Sequence, residues 1–281
     1  MKFLRKFNEH TSYEAEVNVG GDFKIPNVSY CKDVKDVHFN PYNLIKFYVG
    51  EITPPQTVKI YTDETTSVPI QVSEGNKWYT YLLPKDKGLY KIEGDSVKKV
   101  VVKADINNYS QYIIPNSVVE ASFKGSNTSN VTSMNSMFGL CSGLTSLNLS
   151  NFDTSKVTDM MSMFNGCSGL KSLDVGSFDT SNVTSMYSMF MACSGLTSLD
   201  LRNFNTSKVT DMNGMFCGCS NLTSLDLSKW DISEGTGMNQ MFEGCSNSLK
   251  IKMKDCSEAT RTKIQEQLTT DGVTGATITT K

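Results

Sequence analysis

A repeat of 26 residues is the feature that most limits how this chain can fold. Residues 153–174 read DTSKVTDMMSMFNGCSGLKSLD, and residues 179–200 read DTSNVTSMYSMFMACSGLTSLD. Three rows of core residues return at this step: Met134, Met160, Met186, Met212 and Met238; Phe138, Phe164, Phe190, Phe216 and Phe242; and Cys141, Cys167, Cys193, Cys219 and Cys245. A fixed period of ~20–50 residues is the signature of a solenoid, in which each repeat buries its apolar side against the next.

Each repeat combines two apolar spacings. The first, i, i+3, i+4, i+7, is typical of one helix face and is met by Met160, Met163, Phe164 and Cys167. The second is the alternation within residues 170–175, which is typical of a short strand. One helix and one strand are too small to bury a core alone, so the repeats must stack. The sequence therefore predicts an α/β fold, with a parallel sheet on one side and helices on the other.

Composition divides the chain near residues 105–117. All seven prolines lie at or before Pro115, whereas thirteen of the fourteen methionines lie at or after Met134. Residues 44–104 contain six short β-branched or aromatic segments separated by turn residues, which predicts a small β-rich, sandwich-like domain. Residues 1–43 have no clear period, and we interpret them as an extended N-terminal arm that serves as an attachment segment.

The repeat pattern changes at both ends of the array. Residues 119–131 align with residues 145–157, so the solenoid is predicted to begin with a partial repeat. Its predicted range is 105–256. Residues 257–281 are predicted to form a C-terminal cap, which contains a polar helix at about Ser257–Leu268 and then a strand-like segment.

Charge and hydropathy exclude several classes of protein. The formal net charge is −2, so no global field favours nucleic acid or an anionic membrane. No apolar run reaches the ~20 residues of a membrane-spanning helix. The N-terminus begins with basic residues but has no apolar segment after them, so no secretory signal is predicted.

The repeats offer no constellation for cofactor or metal chemistry. The two histidines, His10 and His38, both lie in the N-terminal arm. We find no Cys/His or Ser/His/Asp arrangement within the repeats, and no phosphate-binding or dinucleotide fingerprint. Cys217 and Cys219 form the one close cysteine pair, which is a weak zinc signal. The sequence predicts a non-enzymatic protein without cofactor or metal.

The cysteine row has two interpretations, disulfides or buried thiols. Neighbouring turns of a solenoid lie ~4.8 Å apart, which is within disulfide reach. Side chains in one row nevertheless point in parallel, and five cysteines cannot all pair. We therefore interpret the row as free thiols that pack as small apolar side chains.

The candidate ligand-binding site is a row of polar residues on the predicted sheet. It comprises Asn148, Asp174, Asp200 and Asp226, with Arg202 within reach. One interpretation is a calcium ion or the hydroxyl groups of a sugar, because solenoids usually bind on an exposed sheet face. The other is a solvated row with no ligand.

A second polar row and an aromatic cluster can also be interpreted either as binding groups or as purely structural ones. Asp153, Asp179, Asn205 and Asp231 lie at the strand-to-helix turn, where Asx-turns would satisfy them locally. Trp78, Tyr79 and Tyr81 in the β-rich domain favour core packing with one wet face, and a binding patch is the alternative.

The repeats resemble the BspA-like leucine-rich-repeat family. The family's pattern L-x-x-L-D-L-S-x-F-D-T-S-x-V-T-x-M-x-x-M-F-x-G-C-S matches residues 131–247 nearly position by position. The resemblance implies a right-handed leucine-rich-repeat solenoid and a family of non-enzymatic surface and adhesion proteins. Residues 1–43, with MKFLRKFNEHTSYEAE and PNVSYCKDVKDVHFNPY, resemble an opening segment of phage and prophage structural proteins of gut bacteria.

These resemblances imply a recognition protein on a phage particle, such as a head or tail fibre or a decoration component. The N-terminal arm would attach it to other virion proteins, as a homo-oligomer, and the solenoid would contact host glycans or surface protein. The expected location is the virion. The alternative is a bacterial cell-surface adhesin. A carboxylate-based glycosidase is disfavoured, because no residue pair departs from the repeat pattern.

Overall fold

The structure is a computed structural model and describes residues 44–53, 55–83, 87–106 and 112–281. The predicted N-terminal arm lies outside the described residues. The described part is mostly β: it contains short strands, many turns and one α-helix.

The six predicted segments of the β-rich domain are all strands. They are β1 Leu44–Val49, β2 Gln56–Tyr61, β3 Ser67–Val72, β4 Lys77–Leu82, β5 Lys91–Glu93 and β6 Val97–Lys103. One antiparallel sheet has the order β4-β1-β6, and the other has the order β3-β2-β5. Residues such as Phe47 in β1 and Ile60 in β2 are fully buried in one shared core, as expected for alternating apolar residues on two packed sheets.

The repeats form a β-solenoid of about six turns with a period of about 26 residues. Its strands are β7 Glu120–Ser122, β8 Ser146–Asn148, β9 Ser198–Asp200, β10 Ser224–Asp226, β11 Lys250–Lys252 and β12 Thr277–Thr279. Neighbouring strands pair in parallel, so Leu199, Leu225 and Ile251 lie side by side. Residues 172–174 occupy the equivalent place in their repeat but are not a strand, so the sheet is divided between β8 and β9.

The helix predicted in each repeat is not formed, and the α/β prediction is corrected to a mostly β fold. Residues 160–167 instead make consecutive turns, in which the N–H groups of Met163 and Cys167 donate to the carbonyls three residues earlier. Ser162 and Gly166 have φ of 53° and 77°, in the left-handed region that ends helical winding. The N–H groups of Ser162, Phe164 and Gly166 donate to the next repeat rather than along a helix.

The i, i+3, i+4, i+7 spacing led to a wrong helix prediction because consecutive turns produce the same spacing. A turn closed by an i to i+3 hydrogen bond also returns the chain to the same side after three or four residues. Met160, Met163 and Phe164 are therefore fully buried, as predicted, without a helix.

The C-terminal cap contains the predicted helix. Helix α1 spans Glu258–Thr270 and begins after Ser257, whose side chain accepts a hydrogen bond from the Thr260 N–H. Ile264 and Leu268 on one face are fully buried. The strand-like segment that follows is β12, which pairs with β11 and extends the sheet by one strand.

The β-rich domain continues directly into the solenoid. Strand β6 pairs in parallel with β7, so the first sheet has the order β4-β1-β6-β7-β8. On the other side, the Ile92 N–H of β5 donates to the Ile113 carbonyl, and the Ile113 N–H donates to the Met137 carbonyl. Both sheets of the domain are therefore hydrogen-bonded, edge to edge, to the first turns of the repeats. The predicted division at residue 104 falls just after β6 and stays a prediction.

Candidate functional site

The predicted ligand-binding row lies at the ends of the solenoid strands. Asp200 ends β9 and is paired in register with Asp226 at the end of β10. Asn148 ends β8, where its register partner is Ser122 of β7. Asp174 lies between them in the segment that is not a strand. The structure thus brings Asp200 and Asp226 together and leaves Asn148 and Asp174 outside that pair.

Each member of the row accepts a hydrogen bond from the backbone two residues later. The Oδ1 atoms of Asn148, Asp174 and Asp226 accept from the N–H groups of residues 150, 176 and 228 at 2.9, 3.0 and 3.0 Å. Asp200 Oδ1 accepts from the Arg202 N–H at 3.2 Å. These contacts are Asx-turns, which end the strand and turn the chain. Asn148 shows that an amide forms the same turn as a carboxylate.

Arg202 lies within reach of the row, as predicted, and binds one member of it. Its Nε lies 2.9 Å from Asp200 Oδ2, and its Nη2 lies 2.5 Å from the same oxygen. Burial alone would raise the pKa of Asp200, but hydrogen bonds from Arg202 and the charges of Arg202 and Lys252 hold that pKa below its usual value. Lys252 Nζ lies 3.7 Å from Asp226 Oδ2. The two paired aspartates therefore each have a cation beside them.

Three of the four residues of the turn row form Asx-turns, as predicted. Asp153, Asp179 and Asn205 accept from the N–H groups two residues later at 3.0, 2.9 and 3.1 Å. Hydrogen bonds from the Ser155 hydroxyl and N–H lower the pKa of Asp153, and those from Ser181 lower the pKa of Asp179.

A threonine ladder, which was not predicted from the sequence, joins each repeat to the next. The Thr180 hydroxyl donates to the Asn205 carbonyl at 3.0 Å and accepts from the Asn205 N–H at 2.7 Å. The equivalent threonines make the same pair of contacts, and all are buried: Thr128, Thr154, Thr180 and Thr206. The available signal was the threonine that follows Asp153, Asp179 and Asn205 of the turn row and is replaced by isoleucine only after Asp231.

We expect Thr180→Val to lower the free energy of unfolding by about 1–3 kcal/mol, because the buried Thr180 hydroxyl bonds both the N–H and the carbonyl of Asn205 and valine replaces neither hydrogen bond. Urea denaturation followed by circular dichroism measures the change. Thr184→Val is the matched control in the same repeat, because the Thr184 hydroxyl also donates to a neighbouring carbonyl but is exposed. Equal effects of the two substitutions would contradict the role given to the buried ladder.

The cysteine row consists of free thiols, as interpreted from the sequence. The thiols of Cys167, Cys193 and Cys219 donate to phenylalanine carbonyls of the preceding repeat at 3.0 to 3.1 Å. Burial raises the pKa of Cys141 to about 12 and raises the pKa of Cys193 further. The thiols are therefore protonated core groups at neutral pH, because desolvation opposes the thiolate.

We expect iodoacetamide at pH 8 to alkylate the half-buried Cys217 well before the buried Cys167 and Cys193 of the folded protein. The reagent attacks the thiolate, and burial both shields the sulfur and raises the thiol pKa. Peptide mass spectrometry over a time course gives the rate at each site. A urea-unfolded sample is the control, in which the rates should converge. Prompt alkylation of Cys193 in the folded protein would contradict the buried-thiol assignment.

The aromatic residues of β4 are mainly packing groups. Tyr81 is buried, and Tyr79 stacks on Phe47 with ring centroids 5.6 Å apart. Trp78 is half-buried and meets Tyr48 edge-on at 5.6 Å. This arrangement agrees with the predicted core packing and one wet face.

A groove that was not predicted from the sequence, the junction groove, lies where the β-rich domain meets the first solenoid turns. It has a volume of about 720 Å³ and is lined by part of β2, by residues 90–95 in and around β5, by residues 112 and 114–116, and by Gly139 and Leu140. These segments are far apart in sequence, so only the fold brings them together.

The described residues contain no group of three or more His, Cys, Asp and Glu side chains placed to hold a metal ion. In the same part of the chain, no helix has the length and apolar character needed to cross a membrane.

Comparison with known proteins gives one family match. The family model described as "Mycoplasma protein of unknown function, DUF285" matches residues 107–199 and 171–267, which together span more than half of the chain. No curated protein matches the sequence.

Proposed function

We propose that this chain, which belongs to the DUF285 family, is a non-enzymatic recognition protein that presents its solenoid to a partner on another surface. The observation that carries the proposal is the regular polar face of the sheet. Ser198, Asp200 and Ser224 are exposed on it, and Asp226 is half-buried beside them. Parallel pairing holds these groups in register between neighbouring strands. Such a rigid, repeated array suits contact with a surface better than it suits catalysis.

The finer family assignment follows from the leucine pattern. We infer that the repeats are of the BspA-like leucine-rich kind, because Leu199 and Leu225 point inward from strands that stack in parallel. Short parallel strands with inward leucines at each turn are what leucine-rich repeats use to build a sheet. This assignment supports adhesion to a host glycan or a host surface protein.

The proposed setting is a phage virion, as a head or tail fibre or a decoration component. The support is the resemblance of residues 1–43 to phage structural proteins, which lies outside the described residues. In this setting the N-terminal arm attaches a homo-oligomer to other virion proteins, and the solenoid faces the host. A bacterial cell-surface adhesin is the alternative, favoured by the resemblance of the repeats.

Fractionation of a producing culture on a density gradient, with this chain located by mass spectrometry, tests the setting. Migration with DNA-filled particles would support the virion, and migration with cell envelopes would support the adhesin. Deletion of residues 1–43 should abolish attachment and leave the remaining chain folded. Presence of the chain only in the fraction of free cytoplasmic protein would contradict both settings.

We expect the triple substitution of Asp174, Asp200 and Asp226 by Asn to weaken binding of the full chain to host cells by about tenfold or more. Asn148 already forms the same Asx-turn in this row, so the substitutions remove three charges and keep the backbone hydrogen bonds. Binding of fluorescently labelled protein to host cells gives the apparent affinity.

The matched control replaces Asp153, Asp179 and Asp231 by Asn. It removes three charges from the turn row, where Asn205 shows that an amide is compatible with the turn. Equal urea midpoints for both triple variants and the parent would show that the fold is kept. Unchanged cell binding by the first variant would contradict the sheet face as the contact surface.

A further inference from the structure

The junction groove has the size and the position of a small-molecule site. Its volume of about 720 Å³ falls within the ~300–1,000 Å³ of typical ligand pockets, which favour the boundaries between structural units. It lies between β2 and β5 on one side and the first turns of the solenoid on the other. Because both units are hydrogen-bonded to each other through Ile113, the two walls are held together.

The repeat departs from its own pattern at Leu140. The equivalent residues in the next four repeats are Gly166, Ala192, Gly218 and Gly244. Leu140 has φ of 58°, a left-handed backbone conformation that disfavours a bulky side chain. Its side chain is nevertheless 54 % exposed, so core packing does not account for a leucine there. Its Cδ2 lies 3.2 Å from the place that a Cβ on Gly166 would take, so the side chain leans against the next turn while more than half of the residue stays in water. A large apolar residue exposed at a strained position indicates a contact beyond those within the chain.

The neighbouring position, Gly139, departs from the pattern in the opposite direction. Its equivalents are Asn165, Met191, Cys217 and Glu243, so a side chain is usual at this place. A Cβ at Gly139 would lie 2.9 Å from Cε1 of Tyr112, and the missing side chain therefore makes room for the ring. Tyr112 is 41 % exposed. Among the described residues, only Tyr112, Leu140 and Tyr187 are exposed large apolar side chains, and the first two share this groove.

The opposite wall of the groove is polar and its charges balance. Lys59, Lys91, Glu93 and Asp95 contribute two positive and two negative charges. Lys91 Nζ lies 2.5 Å from Glu93 Oε1, so these two charges are paired. The groove therefore carries no surplus charge that would select an anion or a cation. The Gln56 amide adds a neutral donor and acceptor to this wall, and the Asn116 amide adds another on the side of Tyr112.

We propose that the junction groove binds a neutral oligosaccharide, with a sugar ring against Tyr112 and Leu140 and its hydroxyl groups toward the polar wall. Sugars have apolar C–H faces and hydroxyl edges, which match one apolar wall and one wall of amides and paired charges. The balanced charge favours a neutral sugar over a phosphorylated or acidic one. This inference rests on the proposed recognition function and adds to it a second contact with a glycan, at a place distinct from the sheet face.

The test uses the full chain and a panel of neutral oligosaccharides: maltotriose, cellotriose, mannotriose, chitotriose and N-acetyllactosamine. Saturation-transfer NMR identifies the sugar that binds, and calorimetric titration gives its Kd. Leu140→Gly installs the residue that three of the four following repeats carry and relieves the strained backbone, so it should leave the fold intact. We expect it to weaken binding by about tenfold or more, and Tyr112→Ala to do the same.

Tyr187→Asn is the matched control, because it removes the third exposed apolar side chain and installs the residue found at equivalent positions 135, 213 and 239. It should leave the Kd unchanged. Failure of every panel sugar to bind would overturn the inference, as would a Kd that Leu140→Gly and Tyr112→Ala both leave unchanged. Loss of sugar binding on the triple aspartate substitution alone would overturn the groove and support the sheet face. The proposed function itself is decided separately by the gradient and by cell binding.

Discussion

Replacing Phe190 with alanine should lower the free energy of unfolding by about 3–5 kcal/mol, the usual range when a fully buried aromatic ring is removed. Phe190 is fully buried, and its ring is stacked between Phe164 at 5.6 Å and Phe216 at 5.9 Å. The substitution opens a cavity in the middle of the array and breaks two aromatic contacts, each of which contributes ~0.5–1.5 kcal/mol. Urea denaturation followed by both circular dichroism and tyrosine fluorescence measures the loss.

The control for this prediction is Tyr187→Ala in the same repeat, three residues earlier and 41 % exposed. It removes a similar ring from the surface, where substitutions usually change stability by no more than about 0.5 kcal/mol. A loss below ~1 kcal/mol for Phe190→Ala would mean that neighbouring repeats collapse into the cavity, and that the phenylalanine stack is not the main support of the array.

A fragment of residues 105–281 is expected to lose ~10 °C or more in melting temperature relative to residues 44–281. The fragment lacks β6, whose partner β7 would then present an open strand edge. It also lacks Val100, Val102 and Leu89, which are fully buried and contribute ~1.5–3 kcal/mol each. Differential scanning calorimetry measures the melting temperature, and sedimentation velocity shows whether the open edges associate.

The 44–281 chain is the proper comparison because it lacks only the predicted N-terminal arm and keeps every described strand. If the 105–281 fragment melts at the same temperature and stays monomeric, the predicted division after residue 104 separates two independent units. If it melts early or associates, the β-rich domain is the N-terminal cap of the solenoid as well as a domain.

The solenoid was predictable from sequence because stacking demands identical core residues at each turn. The rings of Phe164 and Phe190 in one row stack at 5.6 Å, and a fixed period of this length is the signature of a repeat architecture. The sequence could not show that the helix prediction was wrong, because consecutive turns give the same apolar spacing as a helix. The deciding feature is the left-handed backbone at Ser162 and Ser188, and serine gives no warning of it.

The candidate site was predictable in part. The sequence placed Asp200 beside Arg202, and the structure confirms that pair. The break in the sheet at Asp174 was not foreseen, because its repeat has the same leucine and aspartate as its neighbours. The junction groove depends on segments more than 80 residues apart, such as β2 and Leu140. A signal for it existed, because Gly139 and Leu140 both break rows that are otherwise regular.

The repetitive structure of this protein also means that the number of repeats sets the length of the solenoid. The β-rich domain is paired with the first turn and helix α1 is bonded to the last ones, whereas the turns between them repeat rows of Phe, Cys, Met and Thr. Adding or deleting one 26-residue unit in the middle would move the C-terminal cap by ~4.8 Å, the spacing between strands. The junction groove would be unaffected. The length of the solenoid and the ligand specificity of the junction groove can therefore change independently of each other.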